Sequence, residues 1–182
     1  MGFARGGFLR EEERFERFAN VTRMRNRNFF QDREFFLHLL EMELKRSLRY
    51  QSFTSVLLIE VPTTRKLDLG KTTTFLERVV ASLSSQVRET DIIGSTIEHT
   101  ITIILLNCDK RSTSEVANRV SRWMLHYFGS DSNGNGISSS RLGVGSACFP
   151  THATDSEHLL SAASEMLEAY RLQPEAQFRF EP

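Results

Sequence analysis

Residues 88–106 read Arg-Glu-Thr-Asp-Ile-Ile-Gly-Ser-Thr-Ile-Glu-His-Thr-Ile-Thr-Ile-Ile-Leu-Leu, and no other stretch constrains the fold as tightly. Isoleucines crowd both Ile92–Ile93 and Ile101–Leu106, and β-branched side chains fit a pleated, half-buried surface. Gly94 and Ser95 stand between the two runs as reversal chemistry. The stretch predicts a short strand, a tight turn and a second, strongly apolar strand.

The flanks alternate between helix and strand periods. Phe35, Phe36, Leu39, Leu40, Leu44 and Leu48 recur at helical spacing and mark a first core helix. Ser55–Val61 predicts a buried strand stopped by Pro62. Phe75, Leu76, Val79, Val80, Leu83 and Val87 form one stripe of a second helix, which delivers Arg88 at its C-terminal end. After the hairpin, Ser112 or Ser114 can cap a third helix carrying Val116, Val120, Trp123 and Met124. Gly129–Gly136 has the composition of a flexible loop. Ser140–Pro150 predicts a strand whose glycines admit a close neighbour. A fourth helix begins near Asp155 with Leu159, Leu160, Ala163, Met166, Leu167 and Tyr170 inward, and Gln177–Phe180 predicts a short edge strand.

This order gives an α+β fold, palm-like or ferredoxin-like, with a mostly antiparallel sheet of about five strands and helices on its faces. Residues 1–28, including the charged, helix-favouring Phe8–Arg27 segment, stand apart as an N-terminal arm or linker. Residues 29–182 form the domain.

Composition narrows the partners. The 182 residues carry 23 basic and 23 acidic side chains, so no global field recommends nucleic acid or an anionic membrane. No apolar run is long enough to span a bilayer and no secretory leader is visible, which places the chain in the cytoplasm. Cys108 and Cys148 lack metal-ligand spacing and read as buried free thiols. The five histidines are scattered, and neither a metal nor a cofactor is called for.

The hairpin also carries a resemblance. Arg88-x-x-Asp91, a five-residue spacer and the apolar strand are similar to the signature hairpin of GGDEF domains, the diguanylate cyclases. Aligned without a gap, the Gly-Gly-Asp-Glu-Phe positions fall on Ile97, Glu98, His99, Thr100 and Ile101. Phe36, Leu40, Glu43, Leu44, Arg46, Ser47 and Arg49 resemble the family's first helix. Leu142–Gly145 with Phe149-Pro150 resembles a later strand, and Ser161–Leu167 the last helix. The likeness runs from Arg25 to Phe180.

The resemblance implies two sites. Diguanylate cyclases join two GTP molecules using Mg²⁺ ions held by carboxylates, and the matching positions here are Glu60 and His99. An imidazole suits softer metals than Mg²⁺. Ile97 and Glu98 add side chains where guanine and phosphates approach bare backbone. The Thr63–Thr73 loop is shorter than the family's by about four residues, and Arg171 stands where the family has a phosphate-contacting lysine. Glu60 and Arg171 read equally well as a strand-end carboxylate and a helix-end cation. The implied domain is degenerate in its signature and catalytically inactive.

The second implied site binds the family's product, cyclic di-GMP, at R-x-x-D with help from an arginine of the next helix. The matching residues are Arg88, Asp91 and Arg119. An arginine fork can donate to O6 and N7 of guanine, and a carboxylate can accept from its N1–H and N2–H₂ edge. The plain alternative is a weak helix-end ion pair. The expected function is thus a bacterial-type signalling domain that receives cyclic di-GMP. Its alternative is a ligand-free scaffold acting through another signalling protein or through self-association of the arm. An active cyclase ranks third.

Overall fold

The computed structural model describes residues 33–61, 69–95, 100–129 and 143–172. Helix α1 spans Arg33–Tyr50, strand β1 Thr54–Glu60, helix α2 Leu69–Leu83, strand β2 Ile92–Gly94, strand β3 Thr100–Leu106, helix α3 Lys110–Gly129, strand β4 Val144–Phe149 and helix α4 Ser156–Leu172. The sheet runs β2-β3-β1-β4 with every neighbour antiparallel. This is the expected α+β, palm-like arrangement, with four strands among the described residues. The expected fifth strand at Gln177–Phe180, the arm of residues 1–28 and the Gly129–Gly136 loop past its first residue lie outside them.

Strand periodicity divides the core into two halves. Leu57, Ile59, Ile101, Ile103 and Leu105 face one side and meet Val79 and Leu83 of α2 and Ala117, Val120, Met124 and Phe128 of α3. Val56, Leu58, Ile104, Ala147 and Phe149 face the other and meet Phe36, Leu40 and Leu44 of α1 and Leu159, Ala163 and Leu167 of α4. Each fully buried Leu or Ile contributes about 1.5–3 kcal/mol. The two central strands therefore anchor both layers at once.

Helix α1 departs from the apolar stripe read from sequence. Its buried positions are Phe36, Leu40, Glu43, Leu44 and Ser47, whereas Leu48 is 72% exposed and Phe35 36%. Leu48 sits one residue beyond Ser47 and so points about 100° around the helix from the core. A polar pin fills the vacated role: Ser47 and Thr54 share a 2.6 Å hydroxyl hydrogen bond between α1 and β1, and Glu43 is paired within the helix by Arg46 at 3.0 Å. Burial pushes the Glu43 carboxyl up, and the Arg46 charge offsets part of the shift.

Two other boundaries are corrected. The cap of α3 is Asp109, whose carboxylate accepts the Ser112 amide at 2.8 Å; Ser114 instead bonds back to the Lys110 carbonyl at 3.1 Å. Helix α2 ends at Leu83 and tightens into a 3₁₀ turn at Ser84–Gln86, so Val87 and Arg88 follow the helix rather than closing it. The expected start of α4 holds: Asp155 accepts the His158 amide at 2.9 Å.

The strand glycines do admit close neighbours. A Cβ on Gly94 would lie 2.1 Å from the Phe36 ring, and one on Gly145 would lie 2.1 Å from the Ala163 carbonyl oxygen. The outer edge of β4 is closed by side chains. Ser146 N–H donates to Met166 Sδ at 3.4 Å, and Cys148 N–H donates to His152 Nδ1 at 2.9 Å. These contacts occupy amides that an edge strand otherwise presents to other chains. Cys108 and Cys148 are both buried free thiols, as expected.

Gly145→Ala should destabilise the domain by about 1–3 kcal/mol, because the Ala163 backbone cannot yield without moving α4. An unchanged urea midpoint would contradict that packing. His152 supplies a pH test. Partial burial of the ring, and then the Lys110 charge, hold its pKa below the ordinary 6.5. The unfolded chain takes up this proton first as pH falls, so the contribution is present above about pH 6.5 and is lost as pH falls through the lower folded value. The loss in urea midpoint between about pH 7.5 and about pH 5.0 should be smaller in His152→Gln than in the wild type.

Candidate functional site

Where α2 ends, serines turn back onto its carbonyls: Ser84 Oγ donates to Ala81 O and Ser85 Oγ to Ser82 O, each at 2.8 Å. These bonds satisfy helix-end acceptors while the chain tightens toward Gln86. Val87 is then extended, at φ −126° and ψ 167°. Arg88–Asp91 forms a reciprocal turn. Asp91 N–H donates to Arg88 O at 3.1 Å, and Arg88 N–H donates to Asp91 Oδ2 at 2.8 Å. The other carboxylate oxygen accepts Leu106 N–H at 3.3 Å, tying the turn to the last residue of β3.

Helix α3 adds the third residue. Its inner face holds Ala117, Val120, Ser121 and Met124, which leaves Arg119 exposed on the outside. Arg119 Nε donates to Gln86 O at 2.8 Å and thereby reaches the turn that precedes Arg88. Arg88 is exposed, while Asp91 is only 5% exposed. Burial pushes the Asp91 carboxyl up; the Arg88 and Leu106 amides, and then the Arg88 and Arg119 charges, oppose the shift. Cys108 borders the same junction: burial raises its thiol pKa, a Thr113 hydrogen bond lowers it, and the Asp91 charge raises it. The structure places Arg88, Asp91 and Arg119 near one another, and the pair Arg88/Asp91 belongs to a turn and not to a helix end.

The opposite end of β1 and β3 holds Glu60, which pairs with Thr100 across the ladder and donates its amide to Gly143 O at 3.0 Å. A Cβ on Gly143 would stand 3.5 Å from Glu60 Oε2. Thr100 is buried and its carbonyl accepts Ser95 Oγ at 2.9 Å, closing the hairpin. Ile101 is fully buried opposite Ile59 and is core. Ile97, Glu98 and His99 lie outside the described residues, as does the Arg171 side chain, although α4 reaches past that position. Six residue steps of β3 separate Thr100 from Leu106, roughly 20 Å of strand.

The paired carboxylate-bearing strand end, the hairpin and the Arg88–Asp91 turn coincide with a known family. Residues 20–177 match the family described as diguanylate cyclase, GGDEF domain. The chain belongs to the GGDEF family. Solved GGDEF domains share its fold at low identity. One from PA1120 (TpbB or YfiN) of Pseudomonas aeruginosa is 19% identical with a TM-score of 0.63, over 79% of this chain and 86% of that one. The GGDEF domain of DgcB from Caulobacter crescentus, solved in complex with c-di-GMP, is 9% identical at 0.59, over 80% and 85%. Diguanylate cyclase SiaD from P. aeruginosa, solved with its activator SiaC, is 13% identical at 0.63, over 91% of this chain and 65% of that one. At these identities the likeness establishes fold alone. No curated protein sequence matches the chain.

Within this GGDEF fold the groups that complete the junction are main-chain atoms: the Gln86 carbonyl, the Leu106 amide and the Arg88 amide. Sequence reasoning missed them because every residue type carries such groups. Asp91 alone offered a signal, as a carboxylate placed immediately before an apolar strand, where a solvated charge is out of place. Among the described residues, no three of His, Cys, Asp and Glu are grouped to hold a metal ion, and no helix is long and apolar enough to cross a membrane.

Proposed function

We propose that this GGDEF domain is a receptor for cyclic di-GMP that does not make it, and that the ligand docks at the junction of Arg88, Asp91 and Arg119. One observation carries the reading: two exposed arginines, thirty-one residues apart in sequence, stand near one buried carboxylate that is tied to the end of β3, Arg88 through its turn and Arg119 through Gln86 O. Two guanidinium forks so placed can engage the O6/N7 edge of a guanine and a phosphate of an anionic dinucleotide. A GGDEF domain that shares the fold has been solved in complex with c-di-GMP, which makes this ligand the natural first probe.

Catalytic silence rests on chemistry at the other end. Two-metal phosphoryl chemistry needs hard oxygen ligands and close backbone approach. Glu60 keeps one carboxylate, but His99 replaces the acidic signature position and Ile97 and Glu98 replace the glycines. The ligand-free scaffold has one observation in its favour: Leu48 and Tyr50 stand 72% and 67% exposed at the end of α1, a surface of the kind proteins use to meet partners. A cyclase that shares the fold, SiaD, has been solved with its activator, which supports this second reading.

Purified protein incubated with GTP and Mg²⁺ or Mn²⁺ should yield no cyclic di-GMP; product that disappears in Glu60→Ala would reverse this reading. Calorimetric titration with cyclic di-GMP should show binding. Arg88→Ala should weaken it by about 1–3 kcal/mol, roughly tenfold or more, and Arg119→Ala should weaken it less. Undiminished binding in Arg88→Ala would remove the ligand from this junction.

A further inference from the structure

Helices α3 and α4 pack on opposite faces of the sheet, yet both reach the outer edge of β4 and leave a cavity there. Its volume is about 540 Å³, within the roughly 300–1,000 Å³ of small-molecule sites. The Ala147–Cys148 segment of β4 lines it, with Ala162 and Met166 of α4 as an apolar wall. Lys110 at the start of α3 and His152 in the turn after β4 also line it and are exposed, which puts them at its mouth. It shares no lining residue with the Arg88–Asp91 junction or the Glu60 strand end. We infer that this cavity binds a small organic acid, whose apolar body lies against Ala147, Ala162 and Met166 and whose carboxylate meets Lys110 and His152.

The donors set the charge of the ligand. His152 Nδ1 accepts the Cys148 amide at 2.9 Å, so the neutral ring carries its proton on Nε2 and offers it as a donor. Lys110 has no ion-pair partner among the described residues, and its charge stands close enough to act on the His152 ring. One ammonium and one ring N–H suit the two oxygens of a single carboxylate. A phosphate suits the place less well. Anion sites at helix N-termini use the first-turn amides, and here Asp109 takes them: its carboxylate accepts Ser112 N–H at 2.8 Å and its carbonyl accepts Thr113 N–H at 2.8 Å. The Asp109 charge beside these amides repels a dianion.

The walls set the body of the ligand. The hydroxyls that line the cavity make contacts within the protein: Ser114 Oγ donates to Lys110 O at 3.1 Å, Thr113 Oγ1 to Asp109 O at 2.6 Å, and Ser146 Oγ meets Met166 Sδ at 3.5 Å. A sugar or other polyol would therefore compete with bonds already made. What remains along β4 and α4 is alanine methyls, a thioether and the Cys148 thiol, and the sulfurs are polarizable enough to favour an aromatic or aliphatic body. A bare inorganic ion would leave most of the volume unfilled.

Amide chemical shifts of the full chain, titrated with benzoate and hexanoate and with their uncharged amides, test the assignment. Both acids should move the Ser146, Cys148 and His152 amides saturably, with a Kd of about 1 mM or tighter, and more tightly than benzamide and hexanamide. Lys110→Met keeps the aliphatic stem and should weaken the acids about tenfold while leaving the uncharged amides within about twofold. Arg111→Met removes the same charge one residue further on, from a side chain that meets Glu115 at 3.7 Å and does not line the cavity. It should leave both acids within about twofold of the wild type. Ala162→Leu fills the apolar wall and should abolish binding of acids and amides alike. The inference is overturned if neither acid gives a saturable shift up to ~10 mM, if acid and amide bind equally, or if Arg111→Met costs as much as Lys110→Met. Undiminished binding in a folded Ala162→Leu would overturn it too, as would inorganic phosphate moving the same amides as strongly as the acids do.

Discussion

The seven-residue pairing of β1 with β3, from Thr54 opposite Leu106 to Glu60 opposite Thr100, is the interaction on which everything else hangs. These two strands are covered on both faces, so each one supplies alternate residues to both halves of the core. Displacing the register by one residue would send the Leu57/Ile59 set to α1 and α4 and the Val56/Leu58 set to α2 and α3. It would also carry Leu106 away from Asp91. The same ladder that packs the protein therefore sets the position of the candidate ligand junction, and packing and binding geometry are fixed by one set of hydrogen bonds.

Much of this was legible in the residues because apolar periodicity is a direct record of burial. Ile101–Leu106 and Ser55–Ile59 announce themselves as buried strands, and Leu159, Ala163 and Leu167 mark the inner face of α4. Where reading by periodicity failed, the reason is also physical. Leu48 is apolar yet exposed, while the less apolar Ser47 and Glu43 are buried, because Ser47 is hydrogen-bonded to Thr54 at the start of β1 and Glu43 is paired within the helix by Arg46. Hydroxyl and carboxylate pins leave no periodic trace. The α3 cap is a similar case: Ser112 and Ser114 have capping chemistry, yet Asp109, three residues after β3 ends, is the one that accepts the Ser112 amide.

The candidate site was legible as a set of side chains and not as an arrangement. The resemblance to GGDEF domains grouped Arg88, Asp91 and Arg119, and the fold places them near one another. What spacing could not supply was direction. A carboxylate three residues after an arginine can face solvent, its neighbour or the backbone, and only the position of β3 decides among these. Here the Leu106 amide lies within reach, and the carboxylate turns inward to it.

The two ends of β3 accordingly sit under different constraints. At the Glu60–Thr100 end, what the fold requires is an apolar residue at 101 to oppose Ile59, a hairpin closed by Ser95, and room beside Gly143. None of these demands a metal-binding carboxylate or a glycine pair at 97–98, so cyclase chemistry can be lost there without cost to packing. At the Leu106 end the situation is reversed. Burial disfavours the Asp91 charge and pushes its carboxyl up, while the Arg88 and Leu106 amides and then the Arg88 and Arg119 charges oppose part of that shift. Removing any one of these contacts or charges takes away part of that opposition, so this end links several segments of chain through one carboxylate. On the proposed reading, this GGDEF scaffold can vary at its turn while the Arg88–Asp91 junction is held by the requirements of the fold itself.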